Sequence, residues 1–341
     1  MKCILVTGGL GYIGSHTVVE LINAGYEVII ADNLSNSEES VLERIFITSG
    51  IGPEFHKMDV CDRSELNKLP ENIDGVIHFA AFKSVGESVE KPLEYYRNNI
   101  GSLVSILDFC KERKIKSFVF SSSCTVYGQS EVLPVNEDTP FSPAWSPYGH
   151  TKQIGEEIIR NFANSKPDMR IVSLRYFNPA GAHEYSLIGE LPRGIPNNLM
   201  PYITQTAIGL RDKLKVFGGD YNTKDGTAIR DYIHVTDLAQ AHVKSLEFCD
   251  KMSENSVEVF NLGSGNGYTV LEVIKSFEKT SGIILPFEIV ERRPGDVEKV
   301  WADTTKASKI LGFEPKLTLD DITLSAWKWE QNYRNKIEKK S

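Results

Sequence analysis

Two runs near the start of the chain, Cys3-Ile4-Leu5-Val6 and Val28-Ile29-Ile30, are apolar at every position. A strand with one face in water alternates polar and apolar side chains, so unbroken runs read as strands covered on both faces. The pattern recurs. Strands are predicted at 2–6, 27–31, 54–58, 75–79, 117–121 and 170–176, and helices between them at 12–23, 38–48, 62–68, 93–113 and 147–163. This βαβα order predicts an α/β fold: a doubly wound parallel sheet of Rossmann type, with helices on both faces.

The rhythm breaks after Tyr176. Residues 177–235 are rich in Gly, Pro and Asn, with one helix predicted near 198–210. A helix at 235–249 and a strand at 257–262 return to the main sheet, and a further strand is expected near 287–290. Two interleaved domains follow: a dinucleotide-binding domain at 1–176 plus about 236–267, and a smaller α/β substrate domain at about 177–235 plus 268–341.

The net charge of −8 disfavours nucleic acid and anionic membranes as partners, since both call for a cationic face. The short basic clusters at 111–116 and 336–340 contain Glu and read as solvated surface. Five cysteines without a CxxC pair argue against a disulfide framework and a zinc knuckle. The apolar run at the N-terminus is too short for a signal peptide, and no stretch approaches the ~20 apolar residues of a membrane span. A reduced, cytoplasmic protein is expected.

Val6-Thr7-Gly8-Gly9-Leu10-Gly11-Tyr12-Ile13-Gly14 closes the first strand and opens the first helix. Gly8, Gly11 and Gly14 permit a tight turn, a close approach to a pyrophosphate and close helix–strand packing, and the helix amides favour the anion. Asp32, at the end of strand two, stands where an acid holds the adenosine ribose hydroxyls. Its charge would repel a 2′-phosphate, and no Arg or Lys occurs from 33 to 43, so NAD is expected over NADP. Asp59, after strand three, is either an adenine contact or a turn acid.

Among 13 tyrosines only Tyr148 has a lysine four residues later, Lys152. Ser146 and Pro147 suit a helix N-cap and first turn, and i,i+4 spacing puts phenol and ammonium on one face. A cation there, together with the helix end and a nicotinamide cation, is expected to lower the phenol from about 10 towards neutrality and make a general base. At the end of strand five, Ser121-Ser122-Ser123-Cys124-Thr125 offers hydroxyls to the crevice. Ser123 or Thr125 is the candidate partner of the reacting oxygen, and Cys124 reads as a packing residue. No metal site is expected: HExxH, the P-loop and GxSxG are absent, and the seven histidines are scattered.

These motifs resemble the extended short-chain dehydrogenase/reductase family, and within it the branch that epimerises nucleotide sugars. The resemblance spans nearly the whole chain. It rests on GYIGSHT (11–17), Asp32-Asn33-Leu34, HFAA (78–81), VGESVEKPLEYY (85–96), SSSCTVYG (121–128), SPYGHTK (146–152), LRYFNPAGAH (174–183), GIPNNLMPYI (194–203), DGTAIRDYIHV (225–235) and RRPGDVEKVWAD (292–303). It implies NAD held by the glycine turn with Tyr12 and Ile13, by Asp32, Asn33, Asn36 and Ser37, by Asp59 and Val60, and by Phe79, Ala80, Ala81, Lys83, Asn98 and Ser121. It implies Tyr148 as base, Lys152 as its tuner and ribose anchor, and Ser123 as hydroxyl partner. Phe177, Asn178, Asn198, Leu199, Arg230, Tyr232, Arg293 and Asp296 would grip UDP, with Lys83, Ser123 and Tyr148 at the sugar.

The implied reaction inverts C4 of a UDP-hexose through a transient 4-keto sugar. Val300 stands where the family places a gatekeeper for the 2-substituent: tyrosine there goes with plain hexoses, cysteine with N-acetylated ones as well. Valine is close to cysteine in bulk, so both sugar types are expected as substrates. Where Cys124 stands, relatives usually carry alanine or another small residue. The helices at 93–113 and 147–163 are those that relatives use to form a homodimer. Rival readings are a 4,6-dehydratase or decarboxylase of the same fold, and an NAD-binding sensor. Dehydratases carry Asp-Glu where this chain has Cys124-Thr125, and sensors usually lose the Tyr or the Lys.

Overall fold

The structure, a computed structural model, describes residues 1–293 and 296–338. Pro294 and Gly295 of the 292–303 run, and positions 339–341 at the end of the last basic cluster, lie outside the described residues. The first half runs β1 (Cys3–Thr7), α1 (Tyr12–Asn23), β2 (Glu27–Asp32), α2 (Val41–Ser49), β3 (Glu54–Lys57), α3 (Arg63–Leu66), β4 (Gly75–His78), α4 (Val85–Glu90), α5 (Pro92–Glu112), β5 (Ser117–Ser123) and α6 (Pro147–Asn164). There follow β6 (Arg170–Tyr176), β7 (Asn178–Ala180), α7 (Leu199–Ala207), β8 (Leu214–Phe217), β9 (Ile229–His234), α8 (Val235–Cys249) and β10 (Ser256–Leu262). The chain closes with β11 (Gly267–Thr269), α9 (Val270–Ser281), β12 (Phe287–Val290), β13 (Lys299–Val300), α10 (Thr305–Leu311) and α11 (Leu319–Glu338).

Seven strands form one parallel sheet in the order β10-β6-β5-β4-β1-β2-β3. The fully apolar runs are buried on both sides, as their composition requires. One face packs on α1, α8 and α10 through Val18, Val19, Leu238, Ala241 and Ala307. The other packs on α3, α5 and α6 through Leu66, Leu103, Ile106 and Ile159. The strand order reverses between β1 and β4, and the crevice beyond their carboxyl ends is where such sheets bind ligands.

The region 177–235 differs from expectation. It holds α7, within the predicted span, but also the short strands β7, β8 and β9. β9 is the centre of a second, small sheet: β11 and β13 flank it, and β7 pairs with it in parallel. β12 pairs with β8. A separate core of Met200, Ile203, Val216, Phe277 and Trp327 joins α7, β8, α9 and α11. Helix α2 begins at Val41 rather than 38, because the residues after β2 fold around Asp32.

Five of the seven histidines are buried: His16, His78, His183, His234 and His242. Burial pushes His16 and His78 down to about 3 and His234 and His242 down to about 4, and lowers His183. Several need a neutral ring. His234 Nδ1 accepts the Thr236 amide at the start of α8, at 3.1 Å. An unfolded histidine titrates near 6.5. Below that pH the unfolded chain binds more protons than the folded one, each worth ~1.4 kcal/mol per pH unit. Stability is therefore full above pH 6.5 and falls as the pH drops towards 4. The urea unfolding midpoint should decline progressively from pH 6.5 to 4.5. A constant midpoint over that range would contradict the assignment.

Candidate active site

The glycine turn is shaped for an anion. Gly8 has φ +69°, and a Cβ on it would lie 2.9 Å from the Ala80 amide nitrogen. A Cβ on Gly14 would lie 2.3 Å from the Gly8 carbonyl. No side chain caps α1 and no acid stands in its first turn, which leaves its leading end suited to an anion. Asp32 organises the far end. Its carboxylate accepts the amides of Leu10 at 3.1 Å and Leu34 at 2.9 Å, and the Ser37 hydroxyl at 2.8 Å. Asp59 lies on the cleft wall and also accepts the Cys61 amide at 2.9 Å, so both of its expected roles stand open.

All the residues expected to hold the dinucleotide line a single cleft of about 770 Å³, from Gly8 and Asp32 at one end to Tyr148 and Lys152 at the other. An extended dinucleotide suits these walls: bare amides at a glycine turn, a carboxylate one strand over, and a phenol–ammonium pair beyond.

At the reactive end, Ser146 caps α6 by accepting the Gly149 amide at 3.1 Å, with Pro147 in the first turn, as expected. The Ser123 hydroxyl at the end of β5, which accepts the Thr125 amide at 3.2 Å, lies near the Tyr148 phenol and favours its charged form. Thr125 Oγ1, the other candidate, is buried without a hydrogen-bond partner. Lys152 Nζ donates to the Ser121 carbonyl at 2.6 Å and lies 5.9 Å from the centre of the Tyr148 ring.

The expected lowering of the Tyr148 pKa is not found in the chain itself. Its apolar surroundings push the phenol up to about 12, against the opposing pull of the nearby Ser123 hydroxyl. Desolvation likewise pushes Lys152 down to about 8. Both groups lose solvation on burial, and the nicotinamide cation that completes the expected charge set comes only with the cofactor. Cys124 packs beside Val126, Phe177 and Val300, and burial raises its thiol to about 12, which leaves it inert.

Sequence reasoning missed Glu156. It stands one turn beyond Lys152 on α6 and accepts the Ser122 hydroxyl at 2.5 Å and two bonds from Arg175, at 2.9 and 2.7 Å. Two successive turns of α6 are thus tied to adjacent serines of β5, Lys152 to Ser121 and Glu156 to Ser122. The i+4 spacing from Lys152 was the available signal.

Most residues expected to bind UDP lie apart from the dinucleotide cleft. Only Lys83, Tyr148 and Asn198 line it. Arg230 and Tyr232 are on β9, Asn178 pairs with Tyr232 from β7, and Val300 pairs with Arg230 from β13. Arg293 bonds Asp296 through Nη2 at 2.8 Å and Nε at 3.1 Å, and Arg230 lies 3.9 Å from the same carboxylate. Phe177 links β6 to β7, Asn198 precedes α7, and Leu199 begins it. Sequence reasoning also missed Glu190, whose carboxylate receives Asn198 Nδ2 at 2.6 Å and Lys83 Nζ at 3.3 Å. Arg44 and Arg193 reach the adenosine end of the cleft, although no cation is near Asp32 in sequence. Among the described residues there is no cluster of three metal-ligating side chains, and no helix is long and apolar enough to cross a membrane.

Sheet, glycine turn and Tyr–Lys pair together define a dinucleotide-dependent enzyme of the extended short-chain dehydrogenase/reductase class. A family described as GDP-mannose 4,6 dehydratase matches residues 5–325. The UDP-glucose 4-epimerase of Haemophilus influenzae is 48% identical over 331 residues, covering 96% of this chain and 97% of its own. The crystal structure of the UDP-glucose 4-epimerase from Stenotrophomonas maltophila, with bound NAD and formylated UDP-arabinopyranose, is 46% identical with a TM-score of 0.95, covering 98% of this chain and all of its own. The UDP-Glc/GlcNAc 4-epimerase of Campylobacter jejuni is 36% identical with a TM-score of 0.83, covering 97% of this chain and 100% of its own. The chain belongs to the UDP-glucose 4-epimerase family.

Proposed function

We propose that this protein reversibly inverts C4 of UDP-galactose and UDP-glucose, with NAD as resident cofactor, and does the same for UDP-GalNAc and UDP-GlcNAc. The observation that carries the reading is the placement of Tyr148 and Lys152, one helical turn apart, at one end of a cleft whose other end holds the glycine turn and Asp32. NAD, when bound, supplies reversible hydride acceptance at C4. Tyr148 Oη takes the proton from the sugar 4-hydroxyl and gives it back to the C4 oxygen once the sugar has turned its other face to the cofactor. Ser123 holds the phenol, and Lys152 supplies positive charge beside it. Arg230, Arg293, Asn178, Asn198, Leu199, Phe177, Tyr232 and Asp296 fix the UDP, so the keto sugar can turn about its diphosphate. Arginine suits that grip, because its fork takes phosphate bidentately.

The two domains assigned from the sequence divide the work in this reading: 1–176 plus 236–267 for NAD, 177–235 plus 268–341 for UDP-sugar. A homodimer is part of the proposal. Leu93 and Val104, eleven residues apart and so on one face of α5, are exposed beside α6. So is a cytoplasmic setting, which five free thiols suit.

Anaerobic incubation with UDP-galactose tests the function. The expected product is UDP-glucose with no net NADH. A stable keto sugar would indicate a dehydratase, a reading that Cys124-Thr125 disfavours by offering no acid. Denatured protein should release NAD and little NADP. Mainly NADP by mass spectrometry would remove Asp32 as the selector.

A further inference from the structure

The segment 189–198 runs along the mouth of the dinucleotide cleft and is fastened on both sides of it. On one side Arg193 donates through Nη1 to the Ser35 carbonyl at 2.8 Å and through Nη2 to the Ser37 carbonyl at 2.5 Å. On the other side, past β4, Asn197 Nδ2 donates to the Ser84 hydroxyl at 3.1 Å, and Lys83 reaches Glu190 at 3.3 Å. The Glu190 carbonyl also accepts Trp329 Nε1 from α11 at 3.1 Å. Gly189 lies so close to that indole that a Cβ would approach it to 2.5 Å. The carbonyls that Arg193 grasps belong to the turn whose Ser37 hydroxyl bonds Asp32. Arg193 therefore joins the adenosine end of the cleft to a segment more than 150 residues away in sequence.

An enzyme that takes a hydride from its substrate and gives it back is stranded if the reduced cofactor leaves between the two events. We propose that 189–198 is a strap that retains the dinucleotide through the cycle, with Arg193 as its clasp. The proposal rests on the reading of the cleft as the NAD site. A guanidinium bonding two carbonyls makes charge-assisted bonds, which are stronger than neutral ones. Releasing the cofactor past the strap means breaking both.

The test uses purified holoenzyme mixed with a large excess of isotopically labelled NAD, with bound cofactor read by mass spectrometry over time. Arg193→Met removes both bonds, keeps the aliphatic stem and changes an exposed side chain. Its exchange should be at least about tenfold faster than that of the wild type. Arg193→Lys should fall between them. Ser35→Ala should match the wild type, because the bond goes to the main chain. Exchange by Arg193→Met at the wild-type rate overturns the strap while leaving the NAD site standing. Wild-type protein that carries no NAD overturns the site, and the strap with it.

Discussion

Tyr148→Phe should keep bound NAD and UDP affinity yet lose at least about a hundredfold in turnover, the low end for a positioned proton-transfer group. Phenylalanine preserves the ring and its packing. What it removes is one oxygen, near the Ser123 hydroxyl and on the ring that Lys152 approaches. Near-normal turnover would take Tyr148 out of its role. The pH profile carries a second reading. The phenol must lose its proton to act as base, and burial alone holds it near 12. Lys152 is held near 8, so it is largely an ammonium at pH 7 and its charge fades above pH 8. Lys152→Ala should move the rate-controlling pKa upward. An unchanged profile would contradict the tuning role.

Val300→Tyr should abolish interconversion of UDP-GlcNAc and UDP-GalNAc while sparing that of UDP-glucose and UDP-galactose. Val300 is buried on β13 opposite Arg230, in an apolar cluster with Phe177 and Cys124, the residue that follows Ser123. Val300 and Cys124 are small members of this cluster, and Cys124 follows directly on the serine at the end of β5. An N-acetyl group adds three heavy atoms. A clash with a packed wall excludes a ligand far more strongly than the ~1–3 kcal/mol that one methylene changes in a tolerant apolar pocket. Overpacking a buried site costs typically ~1–3 kcal/mol, so retained hexose activity serves as the control for an intact fold. If the unaltered enzyme turned over UDP-galactose readily yet formed no UDP-GlcNAc from UDP-GalNAc, the idea would fail.

The main sheet was legible because its strands are buried on both faces and announce themselves as unbroken apolar runs. β6, β12, α1 and α8 match their predicted bounds. β9 was hidden by its own chemistry. Ile229-Arg230-Asp231-Tyr232-Ile233-His234 carries charges in mid-strand and reads as a loop. It is a strand because Asp231 is buried and collects the amides of Ser264, Gly265 and Ala302, at 2.6, 3.1 and 3.1 Å. Those partners lie 33 to 71 residues away, beyond any local pattern. The cofactor end of the site could be read because a glycine turn and a strand-end acid are local signals. Glu190 and Arg193 could not, since their roles exist only when distant segments meet. The desolvation of Tyr148 was out of reach for a related reason: a sequence shows which charges are near, not how much water is lost.

The clasp on the cleft has a consequence for how this enzyme can change over generations. Arg193 contacts Ser35 and Ser37 only through main-chain oxygens. A bond of that kind does not read the side chains of the residues it holds. The turn that meets the adenosine is thus free to exchange residues at position 35, and to drift in its fit to the cofactor, without loosening its tie to the rest of the molecule. Mutational tolerance should be lopsided across this contact: broad on the side that is grasped, narrow at the one arginine that grasps it.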